Sequence, residues 1–210
     1  MIVKQIPLSG AITTNAFFYI NEQTGHGFLL DPAAEPEKLL SIINDNHWTI
    51  EKMLITHGHF DHIGAVEKLH QQLQIPYYIF EQGKTYLEDT AYNLSTLFGT
   101  NITLTQARYL KDNDVISLSD DSSSLKLIHT PGHTFDSSVY YDKQNHLAFV
   151  GDTIFKGSIG RSDLPGGDML TLKNSILNKV LQLPDDTILY SGHSDPTTIA
   201  TEKRTIGFFF

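Results

Sequence analysis

Segment 54–64, LITHGHFDHIG, constrains this chain more than any other stretch. It places three histidines and an aspartate, His57, His59, Asp61 and His62, within six residues, directly after the apolar run 53–56. Side chains alternate along an extended segment, so the two histidines of H-x-H lie on one side. Imidazole nitrogen and carboxylate oxygen are the donor set that zinc and related divalent ions take. A chance cluster in a histidine-rich linker has no reason to follow an apolar strand. The segment therefore reads as a metal site anchored at a strand end.

Three more candidates repeat that placement. His133 follows LKLIHTPG, Asp152 follows LAFVG, and His193 follows TILYSG. Ligands at the ends of several strands converge at one edge of a sheet while the strands hold them in place. Gly132, Gly151 and Gly192 permit tight turns before them. The set is then His57, His59, Asp61, His62, His133, Asp152 and His193, too many for one tetrahedral ion and suited to two. Two ions roughly 3.5–4 Å apart that share a carboxylate make the arrangement of metal-assisted hydrolysis. The other histidines (His26, His47, His70, His129, His146) read as surface or satisfied core. His129, in a strand shortly before His133, is a candidate support for that ligand.

Strands are expected at 2–8, 16–20, 28–30, 53–56, 77–80, 115–118, 125–129, 138–141, 147–150 and 187–190. Helical stripes are expected at 35–46, from 61 onward, and at 84–97, 168–181 and 197–205. Strands and helices interspersed in both halves imply sheets covered by helices, an α/β or α+β sandwich over 1–210 as one domain. The balance of 15 basic and 24 acidic residues, −9 overall, weighs against a nucleic-acid or anionic-membrane partner. With no cysteine, the fold rests on no disulfide and a metal site must use His and Asp. No apolar run reaches transmembrane length, and the first twenty residues lack a convincing export signal, so a soluble cytoplasmic protein is expected.

The segments THGHFDHIGA, TPGHTFDSS, GDTIFKGSIGRSDLPGGD and SGHSDPTTI resemble the successive motifs of the metallo-β-lactamase superfamily. Within it they are most similar to the short, bacterial-type glyoxalase II-like branch, the hydroxyacylglutathione hydrolases. The resemblance spans nearly the whole chain and implies a four-layer αβ/βα sandwich with a metal pair at the sheet edges. It implies that His57, His59 and His133 hold one ion, that Asp61, His62 and His193 hold the other, and that Asp152 bridges. It also implies two divalent ions, zinc first, with iron or manganese as alternatives. The chain departs from the pattern at Asp136 and Ser194, where glycine is usual, and in its IGFFF tail. It is also too short for the helical extension by which larger glyoxalase II enzymes grip glutathione.

The expected chemistry is attack of metal-activated water on a small-molecule thioester, with Asp61 orienting the water and Asp152 setting the spacing of the ions. Thiolates leave readily, their conjugate acids having pKa values near ~8.5, so a dedicated general acid is less necessary than for an amide. Arg161, in a glycine-punctuated loop after Asp152, is the candidate for gripping a substrate carboxylate. The competing readings are a persulfide dioxygenase-like enzyme with one iron on His57, His133 and Asp152, a zinc β-lactamase, and a non-catalytic metal-binding module. The acyl group, the thiol carrier and the oligomeric state are not specified by these motifs.

Overall fold

The computed structural model describes residues 1–209; Phe210, the end of the IGFFF tail, lies outside the described residues. A first six-stranded sheet runs in chain order through β1 (Ile2–Ser9), β2 (Thr13–Ile20), β3 (His26–Leu30), β4 (Thr49–Leu54), β5 (Tyr77–Phe80) and β6 (Arg108–Leu110). Its first two pairings are antiparallel and the remaining three parallel. Parallel neighbours need a crossover, and helices supply it. These are α1 (Pro36–Asp45), the pair α2 (Phe60–Ile63) and α3 (Val66–Leu73), and then α4 (Gly83–Glu88).

The second sheet comprises β7 (Val115–Ser117), β8 (Ser124–His129), β9 (Ser138–Asp142), β10 (Leu147–Gly151), β13 (Ile188–Ser191) and β14 (Thr197–Thr198). Its spatial order is β14-β13-β10-β9-β8-β7. Between β10 and β13 lie a short hairpin, β11 (Ile154–Phe155) with β12 (Ser158–Ile159), and helix α5 (Met169–Asn178). Helix α6 (Ile199–Thr205) follows β14.

The two sheets face each other, and helices cover both outer faces. Phe17 and Tyr19 of β2 point inward to meet Leu125, Leu127, Tyr140 and Phe149 of the opposite sheet. Their neighbours Phe18 and Ile20 point outward, under Leu39 and Ile43 of α1 and Val66 and Leu69 of α3. The two-residue period of a strand thus feeds two different cores, which is why residues 16–20 of β2 read as one unbroken apolar run. On the far side, Val139, Ala148 and Val150 pack under Leu172 and Ile176 of α5 and Ile199 of α6. The helix–sheet–sheet–helix order matches the four-layer expectation.

Local hydrogen bonds explain where the elements depart from expectation. The helix expected from residue 61 breaks at Gly64-Ala65, because the Ala65 N–H donates to Pro32 O (2.9 Å) rather than within the helix. The helix expected over 84–97 stops at Glu88. There the Asp89 carboxylate accepts the Ala91 and Tyr92 N–H groups, the Asn93 amide donates to Tyr86 O and Ile102 O, and Leu94 takes φ 68°. Side chains that hydrogen-bond nearby backbone offer it an alternative to the helix. The chain resumes as a 3-10 turn, Ser95–Phe98. Residues 197–198 extend the second sheet instead of opening the last helix, and the Thr198 hydroxyl caps α6 by accepting the Thr201 N–H (3.2 Å).

Candidate metal centre

His57, His59, His133, Asp152 and His193 stand in loops after strands, Asp61 and His62 lie in α2, and the strands involved belong to both sheets. His57, His59, Asp61 and His62 follow β4 of the first sheet; His133, Asp152 and His193 follow β8, β10 and β13 of the second. Strand-end placement alone implied one sheet edge; the site lies where two edges meet, in keeping with the sheet edges that the resemblance implied. Hydrogen bonds lock that junction: Ser138 N–H to Thr56 O (2.9 Å), Asn15 N–H to Gly192 O (2.8 Å) and Tyr140 O–H to Ile55 O (3.1 Å). Gly192 is needed there because a Cβ would come within 2.4 Å of Asp152 Oδ1 and 2.7 Å of His62 Cε1.

All seven side chains converge. His59 Nδ1 lies 3.1 Å from His57 Nε2 and 3.0 Å from His133 Nε2. His193 Nε2 lies 3.3 Å from Asp61 Oδ2, and His62 Nε2 is 3.7 Å from the same oxygen. Asp152 stands between the two groups. Its Oδ2 is 3.1 Å from His193 Nε2 and 3.6 Å from His133 Nε2, and its Oδ1 is 3.4 Å from His62 Nε2. Three triads, His57-His59-His133, His57-His62-Asp152 and Asp61-His62-His193, each bring one donor atom per residue within 4.8 Å of the others.

The other face of each ring determines which nitrogen points inward. His62 Nδ1–H donates to Asp31 Oδ2 (2.9 Å), His133 Nδ1–H to Arg161 O (2.7 Å) and His193 Nδ1–H to Thr13 O (2.9 Å). The Thr56 hydroxyl donates to Asp31 Oδ2 (2.7 Å), so it accepts from His57 Nδ1–H (3.2 Å). These bonds leave the Nε2 lone pairs of His57, His62, His133 and His193 facing one another. With His59 Nδ1 3.0 Å from His133 Nε2 and Asp61 Oδ2 3.7 Å from His62 Nε2, the lone pairs gathered here repel unless a cation or proton is shared among them.

A divalent ion fits this donor set. Zinc at 2.0–2.1 Å from imidazole in tetrahedral geometry implies nitrogen separations of about 3.3 Å, close to those of the first triad. His62 Nε2 and Asp152 Oδ1 are buried without a hydrogen-bond partner, which a bound cation would supply. Such carboxylate- and carbonyl-backed histidines are the usual support around a metal.

Charge divides the cluster. Burial, reinforced by the neighbouring histidines, holds His57 well below the ordinary imidazole range and His59 down at about 3. Burial likewise lowers His133. These three are neutral and ready to ligate. Burial also pulls on His62, but Asp152, Asp31 and Asp61 outweigh it and raise that ring well above the ordinary range. Burial of His193 is outweighed by its bonds to Asp152 and Asp61, and it rises to about 10. In the metal-free protein, then, protons on His62 and His193 neutralise the carboxylates.

Three supports escaped the motif reading. Asp31 reaches both His62 and Thr56, and the Thr14 hydroxyl donates to Asp61 Oδ2 (3.0 Å). Asp31 closes the apolar run 28–30 just as Asp152 closes 147–150, a signal that could have marked it. Asp136, the departure noted in TPGHTFDSS, is buried and accepts the Gly58 N–H (2.9 Å), the peptide between His57 and His59. His129 does not reach the cluster; its Nε2 bonds Phe135 O (2.8 Å) and its ring stacks on Phe80.

A cavity of about 500 Å³ opens over the cluster, with Arg161 in its lining. The Arg161 guanidinium, mostly exposed, is paired through two bonds to the Asp163 carboxylate (2.7 and 2.8 Å). Its carbonyl meanwhile orients His133. A second, polar groove of about 700 Å³ also has His193 in its lining, with Gln5, Thr13, Asn15, Lys156, Ser194 and Asp195 among others. Among the described residues no helix is long and apolar enough to cross a membrane.

Known proteins resemble this chain over nearly its full length. The hydroxyacylglutathione hydrolase GloC of Haemophilus influenzae is 34% identical over 211 residues, 99% of this chain and 98% of that protein. A crystal structure of the BLEG-1 B3 metallo-beta-lactamase superposes with a TM-score of 0.92 at 38% identity, covering 99% of each chain. TTHA1623 in a di-iron-bound form superposes with a TM-score of 0.85 at 33% identity, covering 97% of this chain and 98% of that one. The family model described as the metallo-beta-lactamase superfamily matches residues 10–193, and this chain belongs to that superfamily.

Proposed function

We propose that the protein is a dinuclear-metal thioesterase of the hydroxyacylglutathione hydrolase type. The observation that carries this is the position of Asp152, with one carboxylate facing both histidine groups at 3.1–3.6 Å. His57, His59 and His133 would hold one ion and Asp61, His62 and His193 the other, with Asp152 between them. When bound, such ions supply Lewis acidity and bring the pKa of coordinated water toward about 7.

The chain's own residues do the rest. Asp61, steadied by the Thr14 hydroxyl, presents one oxygen to the site and can orient a water there. Asp152 is held well below the ordinary carboxylate range, because His62 and His193 outweigh its burial, and stays ionised. Asp31, through His62 and Thr56, keeps the rings in their inward-facing tautomers. The GloC relative supports a thioester as substrate, and the di-iron neighbour makes iron as reasonable an occupant as zinc. The donor set accepts either, so availability decides.

A second reading is β-lactam hydrolysis, favoured by the 38% identity to BLEG-1. A mononuclear iron site on His57, His133 and Asp152 would leave the Asp61-His62-His193 group without a purpose, and the dinuclear reading uses both. The test is thiol release from S-D-lactoylglutathione by zinc-loaded protein, run beside nitrocefin cleavage and beside Asp152→Ala. Asp152-dependent thiol release supports the thioesterase. Turnover of nitrocefin alone replaces it with the second reading, and dinuclear loading retained in Asp152→Ala removes the bridging role.

A further inference from the structure

The cavity over the cluster differs in character from the chemistry beneath it. Its floor is His59, Asp61, His133, Asp152 and His193, but its walls are apolar: Ile12, Leu94, Leu97, Phe98, Phe155 and Leu164. Leu97 is 75% exposed, Phe98 45% and Ile12 39%, although large apolar side chains are otherwise mostly buried in this protein. Phe98 is held at the rim by stacking on Phe60, ring centroids 4.4 Å apart. The one charged wall residue, Arg161, is already neutralised by Asp163. At about 500 Å³ the space is within the range of small-molecule sites.

The polar groove shares a lining residue with this cavity. His193 lines both, and the groove continues through Thr13, Asn15, Lys156, Ser194 and Asp195. A molecule lying across His193 therefore meets an apolar wall on one side and hydrogen-bonding groups with the Lys156–Asp195 ion pair (3.4 Å) on the other. Biological thiol carriers are polar and charged, so in a thioester the apolar half is the acyl group.

We infer that the enzyme takes thioesters of apolar acyl groups, with the acyl chain in the Leu97–Phe98 cavity and the thiol carrier in the groove beyond His193. This rests on the thioesterase reading of the same site. In the reaction, water adds to the acyl carbon, the C–S bond breaks, and the products are the free carboxylic acid and the thiol, which takes up the remaining proton. A lactoyl group, small and hydroxylated, leaves most of that wall in contact with water. Each methylene moved from water onto it contributes about fourfold, the ~0.8 kcal/mol transfer free energy of a buried CH₂.

The test is kcat/KM across acetyl, butyryl and hexanoyl thioesters of one thiol, then across thiols of rising apolarity with acetyl held fixed. The expected result is a rise of about 200-fold from acetyl to hexanoyl, the fourfold step compounded over four methylenes, with no comparable rise in the thiol series. Leu97→Ser and Ile12→Ser, both at exposed positions, should each lower the hexanoyl-to-acetyl ratio several-fold. A flat acyl series, or a gradient that follows the thiol, overturns the inference and leaves the thioesterase standing. Binding of S-hexyl- and S-methylglutathione, measured by calorimetry, separates the two claims if no thioester is turned over. Tighter hexyl binding that is weakened by Leu97→Ser retains the apolar cavity without the thioesterase; equal binding removes the cavity's role as well.

Discussion

Replacing Asp31 tests whether the support behind the ligands, rather than the ligands alone, makes the metal site. Asp31 is 1% exposed, and its carboxylate accepts the Thr56 N–H (2.8 Å), the Thr56 hydroxyl (2.7 Å) and His62 Nδ1–H (2.9 Å). Through Thr56 it also reaches His57, so one carboxylate orients a histidine in each half of the cluster. In Asp31→Asn the amide keeps one oxygen and turns its NH₂ toward a donor, either the Thr56 N–H or the Thr56–His62 pair. A buried donor left without an acceptor costs about 1–3 kcal/mol, and losing support behind a ligating histidine typically lowers metal affinity about 10–100-fold. Asp31 sits at φ 45°, which asparagine tolerates and alanine does not, so Asp31→Asn isolates the hydrogen bonds from backbone strain. The assays are zinc affinity by chelator competition and urea unfolding of the metal-free protein. Zinc affinity within twofold of wild type, in a variant destabilised as expected, would refute the claim that Asp31 acts on the metal site.

Metal loading at pH 7 should release a proton from each of His62 and His193, because Asp152 and Asp61, joined by Asp31 at His62, keep these rings charged in the metal-free protein. A pH indicator in weak buffer reads this directly, and no release would mean that the rings are already neutral. Burial, against bonds from Thr134 and the Gly58 N–H, raises Asp136 to about 7. The folded state then binds more protons than the unfolded one between about pH 4 and 7, so this group lowers stability as pH rises through that window. Metal-free wild type should lose up to about 4 kcal/mol more than Asp136→Asn across it, by urea unfolding at each pH. Parallel stability curves would exclude Asp136 as their source. Gly192→Ala places a methyl against Asp152 and His62. It should abolish binding of at least one ion while leaving a folded protein by circular dichroism; normal metal stoichiometry would contradict the tight approach.

All seven ligand candidates were legible in the sequence because the signal is local. Three histidines and an aspartate fall in one short motif, and His133, Asp152 and His193 each follow an apolar run that a buried strand produces whatever its neighbours. The layered architecture was legible for the same reason. What was not legible depends on contacts distant in sequence. Asp31 stands 31 residues from His62, Thr14 47 from Asp61 and Asp136 78 from Gly58, and no periodicity relates such pairs. The helix expected over 84–97 is broken by Asp89 and Asn93, whose side-chain bonds outweigh its apolar stripe. That break is what carries Leu94, Leu97 and Phe98 over the metal cluster. The sequence by itself therefore determined which donors the chain offers. Tertiary structure decided that two sheet edges share them, which nitrogen of each ring faces inward, and how apolar the space above them is. Those properties arise from hydrogen bonds and packing between segments that meet only when both sheets close on their common core.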